Sequence, residues 1–369
     1  MFSKTTFLIL TIFTGLILVA AQCGAAQPGP TGRQAEALQA EGQQENTGEV
    51  HAEAHHEYED EEHKQETYGP EADVTELAAL SLAEGEKLKV VATTSIIGDV
   101  VQNVGGDMID LTVLLPLGSD PHAFEPTPRD LVSVAEAHLV FINGLGLEEF
   151  LAKMLQNAGS QAAVVAVSNG ADFREFDAGD EPGLETEGEE HHHQGVDPHL
   201  WMTPVNVVVF VRNIEHALSA LDPTNAKAYQ ANAEAYTARL TELDIWIQAQ
   251  IETIPVESRK LVTDHDTFGY YADRYGLEII GAVLPAYSTN AKPSAQELAA
   301  LQNAIGQSKI KAVFVGTTVN PALARQVAED TGLKLVPLYT GSLGEPGSGA
   351  ESYLDYIRFN TDAIVEALK

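Results

Sequence analysis

The stretch from residue 203 to 254, TPVNVVVFVRNIEHALSALDPTNAKAYQANAEAYTARLTELDIWIQAQIETI, carries a helical pattern almost from end to end. Only Pro223 interrupts it, where DPTN can kink the helix or cap a new one. Short apolar runs alternating with helical patterns lie on both sides of it. A helical segment of this length is unlike the ordinary crossover of an α/β unit. It predicts a rigid strut, over about 201–256, that joins two lobes.

Before the strut, KLKVVATTS, DLTVLLP, AHLVFING and AAVVAVS read as buried strands. The helical patterns IIGDVVQNVGG and PRDLVSVAEA separate them. After it, KLVTDHD, LEIIGAVL, IKAVFVG and LKLVPLY alternate with TFGYYADRYG, SAQELAALQNAIGQ and PALARQVAEDTG, and a last helix closes the chain. Strands alternating with helices predict a parallel sheet faced by helices. The expected fold is α/β, with an N-terminal lobe over 87–200 and a C-terminal lobe over 257–369.

The chain has a net charge of -33 at pH 7. Such a balance disfavours nucleic acid and anionic membrane surfaces as partners and suits cations. Much of the charge falls in 36–86 and around 173–190. Residues 24–86, rich in Gln, Glu, Gly and Ala and holding His51, His55, His56 and His63, read as a tether, because they offer too little apolar surface to offset ordering. Residues 1–23 have Lys4 followed by an apolar run to Ala21, the layout of an export signal, with an uncleaved anchor as the rival reading. Either one places the remainder on the periplasmic or extracellular side of a membrane. Cys23 is the only cysteine, so no internal disulfide forms. It stands where a bacterial lipoprotein carries its lipid, although Gln22 departs from the small residue usual before such a cysteine.

Three histidines sit where a strand gives way to a loop: His122 in GSDPHAFEPTP, His199 in DPHLW and His265 in VTDHDTFGY. The carboxyl ends of strands in an open α/β sheet border the crevice where ligands bind. Two histidines from one lobe and one from the other would set a metal ion between them. A neutral imidazole binds zinc at about 2.0–2.1 Å. Asp120, Asp197, Asp264 and Asp266 are placed to orient the rings. A lone histidine at a strand end is more often a hydrogen-bonded loop residue, and spacing by itself leaves that alternative open. His138 and His216 are assigned no function.

VVATTSIIGDVV, GSDPHAFEPTP, DPHLW, DHDTFGYYADRYGL and TTVNPALARQVAEDTG together resemble the TroA-like metal receptors of ABC importers, which include ZnuA-type zinc receptors and related manganese receptors. The resemblance spans about 87–369. It implies two α/β lobes on a long backbone helix, an ion held between the lobes, an ABC permease as partner, and a monomer. Its ligands fall on His122, His199 and His265. Manganese receptors of the family often carry a carboxylate at the third place, so His265 favours Zn2+ as cargo, with Mn2+ as the alternative. The family often has an aspartate where this chain has Gly341. Water, Glu345 of the same loop or a histidine of the 191–193 run are then the candidates for a fourth donor, with water favoured. The acidic loop 173–196, which contains His191, His192 and His193, matches a His-rich insertion of ZnuA-type receptors and implies auxiliary metal capture. Three imidazoles and an open position also describe a catalytic zinc. The lack of an H-E-x-x-H motif and the interlobe placement favour release of the ion over hydrolysis. A surface adhesin is a third reading that no residue here specifically supports.

Overall fold

The computed structural model describes residues 77–174 and 195–369. The proposed export signal, Cys23, most of the proposed tether and His191–His193 lie outside the described residues.

The first lobe contains β1 (Leu88–Ala92), α1 (Ser95–Gly105), β2 (Ile109–Val113), α2 (Pro128–Glu136), β3 (Leu139–Ile142), α3 (Leu151–Ala158) and β4 (Ala163–Ala166). The strands form one parallel sheet in the order β2-β1-β3-β4, with Val90 paired to Leu111 on one side and Leu139 on the other. β3, LVFI, is buried at every position, which is why it reads as an unbroken apolar run. Thr94 begins α1 by accepting the amide of Ile97 at 3.2 Å.

The helical stretch resolves into two helices rather than one. α4 (Pro204–Leu221) ends at Asp222, and α5 (Ala226–Ile251) begins after a turn. The Asp222 carboxylate accepts from Asn225 Nδ2 at 2.6 Å and from the Tyr229 hydroxyl at 2.8 Å, so the DPTN segment is a built corner. α4 packs alongside α5. At 1.5 Å per residue, α5 is about 40 Å long. Its buried residues, Tyr229, Ala233, Tyr236, Leu240, Leu243, Ile247 and Ile251, recur every three or four positions and form one stripe.

The second lobe contains β5 (Lys260–His265), α6 (Gly269–Tyr275), β6 (Glu278–Leu284), α7 (Ala295–Gln307), β7 (Ala312–Gly316), α8 (Ala322–Thr331), β8 (Lys334–Leu338) and α9 (Tyr353–Leu368). Its strands form two parallel pairs, β5-β6 and β7-β8, instead of the single sheet expected. β5 lies beside β7, and the Asp264 side chain bridges them by accepting the Gly316 amide at 2.9 Å.

α5 touches α1 of the first lobe and both α6 and α9 of the second. A continuous apolar core follows from this, running from Leu88 and Phe141 through Tyr236 and Leu243 to Phe314 and Ile364. Smaller clusters fill the outer face of each lobe. The tether ends earlier than its composition implies. Leu77 and Leu82 pack on the main core, and the Leu80 amide bonds to the Leu221 carbonyl at 2.9 Å. Those leucines supply the apolar surface that the acidic residues before them lack.

The strut is therefore a load shared by both lobes. Leu240 is fully buried within it, and Leu240→Ala is expected to cost about 2–5 kcal/mol of stability by leaving a cavity. Urea denaturation of both lobes in one shifted transition is the expected observation.

Candidate metal centre

Each of the three histidines is presented by a different piece of rigid backbone. His122 sits in a short turn of 3-10 helix, Pro121–Ala123, whose entry is capped by Asp120 accepting the His122 amide at 3.0 Å. His199 directly precedes the turn Leu200–Met202 that leads into α4. His265 is the last residue of β5. His199 and His265 are 1% and 2% exposed, so their donors are withdrawn from bulk water, while His122 is half-buried.

The three rings converge. One nitrogen of each lies within 4.8 Å of the others, and the three are the one such group of metal-binding side chains among the described residues. Nε2 of His122 and Nε2 of His199 are 3.2 Å apart. Two nitrogens bound tetrahedrally at zinc distances stand about 3.3 Å apart, so the spacing fits a shared ion.

Carboxylates set the rings. Asp197 Oδ1 accepts from the His199 amide at 3.0 Å and lies 2.8 Å from its Nδ1. Asp264 Oδ1 does the same for His265, at 3.0 Å and 3.1 Å. A carboxylate on Nδ1 places the proton there and leaves Nε2 as the lone pair for the metal. Asp120 acts differently from the ring-orienting role expected of it. Its other oxygen accepts the Thr289 hydroxyl at 2.6 Å, and Asn290 Nδ2 donates to the His122 carbonyl at 2.8 Å, so the His122 turn is tied to the second lobe. Asp266 donates its amide to Ala286, and burial raises its carboxyl to about 6.

Electrostatics favour neutral donors at two of the three positions. Burial, reinforced by the neighbouring rings, holds His122 and His199 far below the usual imidazole value. Burial also pulls His265 down, but the Asp264 charge overcomes it and leaves this ring above the usual value. Burial pushes Asp197 up to about 7 against the pull of the His199 amide and of Arg174.

Glu345 is not brought to the site. It lies exposed in a turn closed by the Gly344 amide on the Ala350 carbonyl and is not part of the donor group. Gly341 sits against the His122 turn, where a Cβ would meet Pro121 Cδ at 2.5 Å. The two lobes are packed too closely there for a side chain to fit without movement. Instead, a cleft lined by Leu145, Glu149, Pro198, Tyr287 and Ser288 opens onto His122.

Protons compete with the ion for His265. Affinity is expected to fall about tenfold per pH unit once the pH drops below the raised value of this ring. Asp264→Asn is expected to weaken binding at pH 7.5 by about 10–100-fold through loss of ring orientation. Without the carboxylate charge, the acid-side decline should begin at lower pH than in the parent. Ion-titration calorimetry from pH 5 to 8 checks both.

A family model described as ZnuA: Zinc-uptake complex component A periplasmic matches residues 90–367. The chain is 35% identical over 286 residues to the manganese-binding lipoprotein MntA of Halalkalibacterium halodurans, covering 77% of this chain and 90% of that one. It is 34% identical over 291 residues to the manganese ABC transporter substrate-binding lipoprotein PsaA of Streptococcus pneumoniae, with coverage of 77% and 90%. A solved Mn-bound periplasmic metal binding protein from Candidatus Liberibacter asiaticus superposes with a TM-score of 0.66 at 30% identity, covering 77% of this chain and 100% of that one. A Cd-bound structure from the same organism matches equally, with a TM-score of 0.66. No helix among the described residues is long and apolar enough to cross a membrane. The chain belongs to the ZnuA/TroA family of extracytoplasmic metal receptors, which hand ions to ABC importers and are not enzymes.

Proposed function

We propose that this protein captures a single divalent transition-metal ion on His122, His199 and His265 and delivers it to an ABC permease. The observation that carries this reading is the convergence of one nitrogen from each ring within 4.8 Å, across two lobes. Manganese is the cargo that the relatives' names support, and it takes precedence over the zinc expected from the family resemblance with a histidine at position 265. A specific observation keeps zinc as a second reading. The donor group contains three imidazoles and no carboxylate, and imidazole suits zinc where carboxylate and water suit manganese. Solvent reaching the ion through the cleft beside His122 is proposed to supply the remaining donors. Cys23 is the proposed point of membrane attachment, in keeping with the lipoprotein names of the relatives. His191, His192 and His193 are proposed as auxiliary capture residues, on the composition of their acidic stretch.

Native mass spectrometry with Mn2+ and Zn2+ at equal concentration tests the reading. One tightly held ion is expected in the parent and none in His122→Ala, His199→Ala or His265→Ala. An ion retained by all three variants would sink the site. Replacing His191–His193 by serine should leave that ion in place. The metal found in the parent decides between the two cargoes. His265→Glu is expected to shift the preference toward manganese by about tenfold, because it exchanges an imidazole for a carboxylate.

A further inference from the structure

Both oxygens of the Asp197 carboxylate are engaged, on opposite sides. Oδ1 faces the amide and ring of His199. Oδ2 accepts from Arg174 Nη1 at 3.2 Å, with the Asp197 side chain wholly withdrawn from solvent. Arg174 belongs to the first lobe, yet most of its partners belong to α6. Its Nε donates to Asp273 Oδ2 at 2.7 Å, and its amide donates to the Tyr270 hydroxyl at 3.0 Å. That hydroxyl in turn donates to the Asp197 carbonyl at 2.7 Å, and the Asp197 amide closes the ring of contacts by donating to the Arg174 carbonyl at 2.9 Å. The guanidinium occupies the space in front of Gly269, where a Cβ would overlap it.

We propose that Arg174 is a positioning residue for the metal centre: it holds Asp197 from the side opposite His199, anchors it to α6, and thereby slows loss of the bound ion. A carboxylate held by one oxygen can turn about its Cβ–Cγ bond, and the imidazole on it turns too. Holding the second oxygen removes that freedom. The planar fork of arginine suits the task because it reaches Asp197 and Asp273 at once. The same contacts join the segment before His199 to the second lobe, so tilting the lobes apart strains the His199 support directly. This inference rests on the three-histidine reading above.

The test uses the full chain loaded with Mn2+ alone or Zn2+ alone, with release followed by stopped flow into excess chelator. Arg174→Gln is expected to release the ion about tenfold faster, the lower end of what loss of a supporting partner costs a metal site. Arg174→Lys should recover part of the loss, since an ammonium can meet Asp197 but cannot span both carboxylates. Gly269→Ala is the second variant. Its Cβ would meet both Arg174 Nη1 and Asp197 Oδ2, so it should speed release by forcing that contact apart. Imidazole 15N spectra of the metal-free protein should show His199 losing its single tautomer in Arg174→Gln and Gly269→Ala, with His265 unchanged. Release at the parent rate in both variants, or faster release with the His199 tautomer unmoved, overturns the proposal. If the parent holds an ion that His265→Ala loses and Arg174→Gln matches the parent, the Arg174 role alone is wrong. A parent that holds no ion removes the three-histidine reading and this inference together.

Discussion

Everything at the site depends on two hydrogen bonds between buried carboxylates and buried imidazoles. Asp197 on His199 and Asp264 on His265 decide which nitrogen carries the proton, and hence which lone pair is free for an ion. Burial makes these bonds strong, and it also makes the carboxylates costly unless they are fully partnered. The fold provides those partners. Asp264 takes the Gly316 amide from the neighbouring strand, and Asp197 takes the guanidinium of Arg174. The His265 support is thus tied to the neighbouring strand, and the His199 support to a guanidinium that is itself paired with Asp273.

Such a site works only if two lobes hold their relative positions to within fractions of an ångström, and the packing explains how they do. The apolar stripe of α5 is shared by helices of both lobes, so the main core is continuous across the cleft floor. Trp201, two residues after His199, donates to the Thr340 carbonyl at 3.0 Å, and Tyr356 donates to the same carbonyl at 2.7 Å. The loop that carries Gly341 is thereby pinned next to the segment that carries His199. A shared core of this kind resists wide hinge opening, because separating the lobes would expose apolar surface along the whole helix. At the rim the two lobes also meet through polar contacts, Asp120 with Thr289 and Arg174 with Asp273.

Much of this was legible in the residues, for definite reasons. β3 and β7 are buried on both faces and leave unbroken apolar runs, LVFI and AVFVG, so the strands are easy to read. His199 and His265 each stand beside an aspartate that meets the ring in the fold, whereas the aspartate beside His122 caps its turn instead. The strut was read with DPTN as either a kink or the cap of a new helix, because a periodic pattern does not tell a kinked helix from a pair folded side by side, and the structure takes the second form. The break between β5-β6 and β7-β8 left no mark either, since pairing depends on backbone approach rather than on residue type. Thr289, Asn290 and Arg174 were missed because their partners are remote. Thr289 lies 169 positions from Asp120, and Arg174 lies 99 from Asp273. Polar residues in loops are common enough that only the folded chain singles these out.

The scaffold and the cargo are recorded in different parts of the chain, which is why relatives named for manganese and a donor set suited to zinc can coexist. Identity near one third over most of the length, with a matching fold, shows the family and its receptor role. The ion answers to a handful of atoms. In the proposed site those are three imidazole nitrogens, while Gly341 offers no side chain and lies against Pro121. Imidazole donors suit zinc, and carboxylate or water donors suit manganese, so the choice of ion turns on donors that likeness of scaffold does not specify. Likeness of fold therefore speaks for the task of the protein, and the side chains at four positions, 122, 199, 265 and 341, speak for the ion.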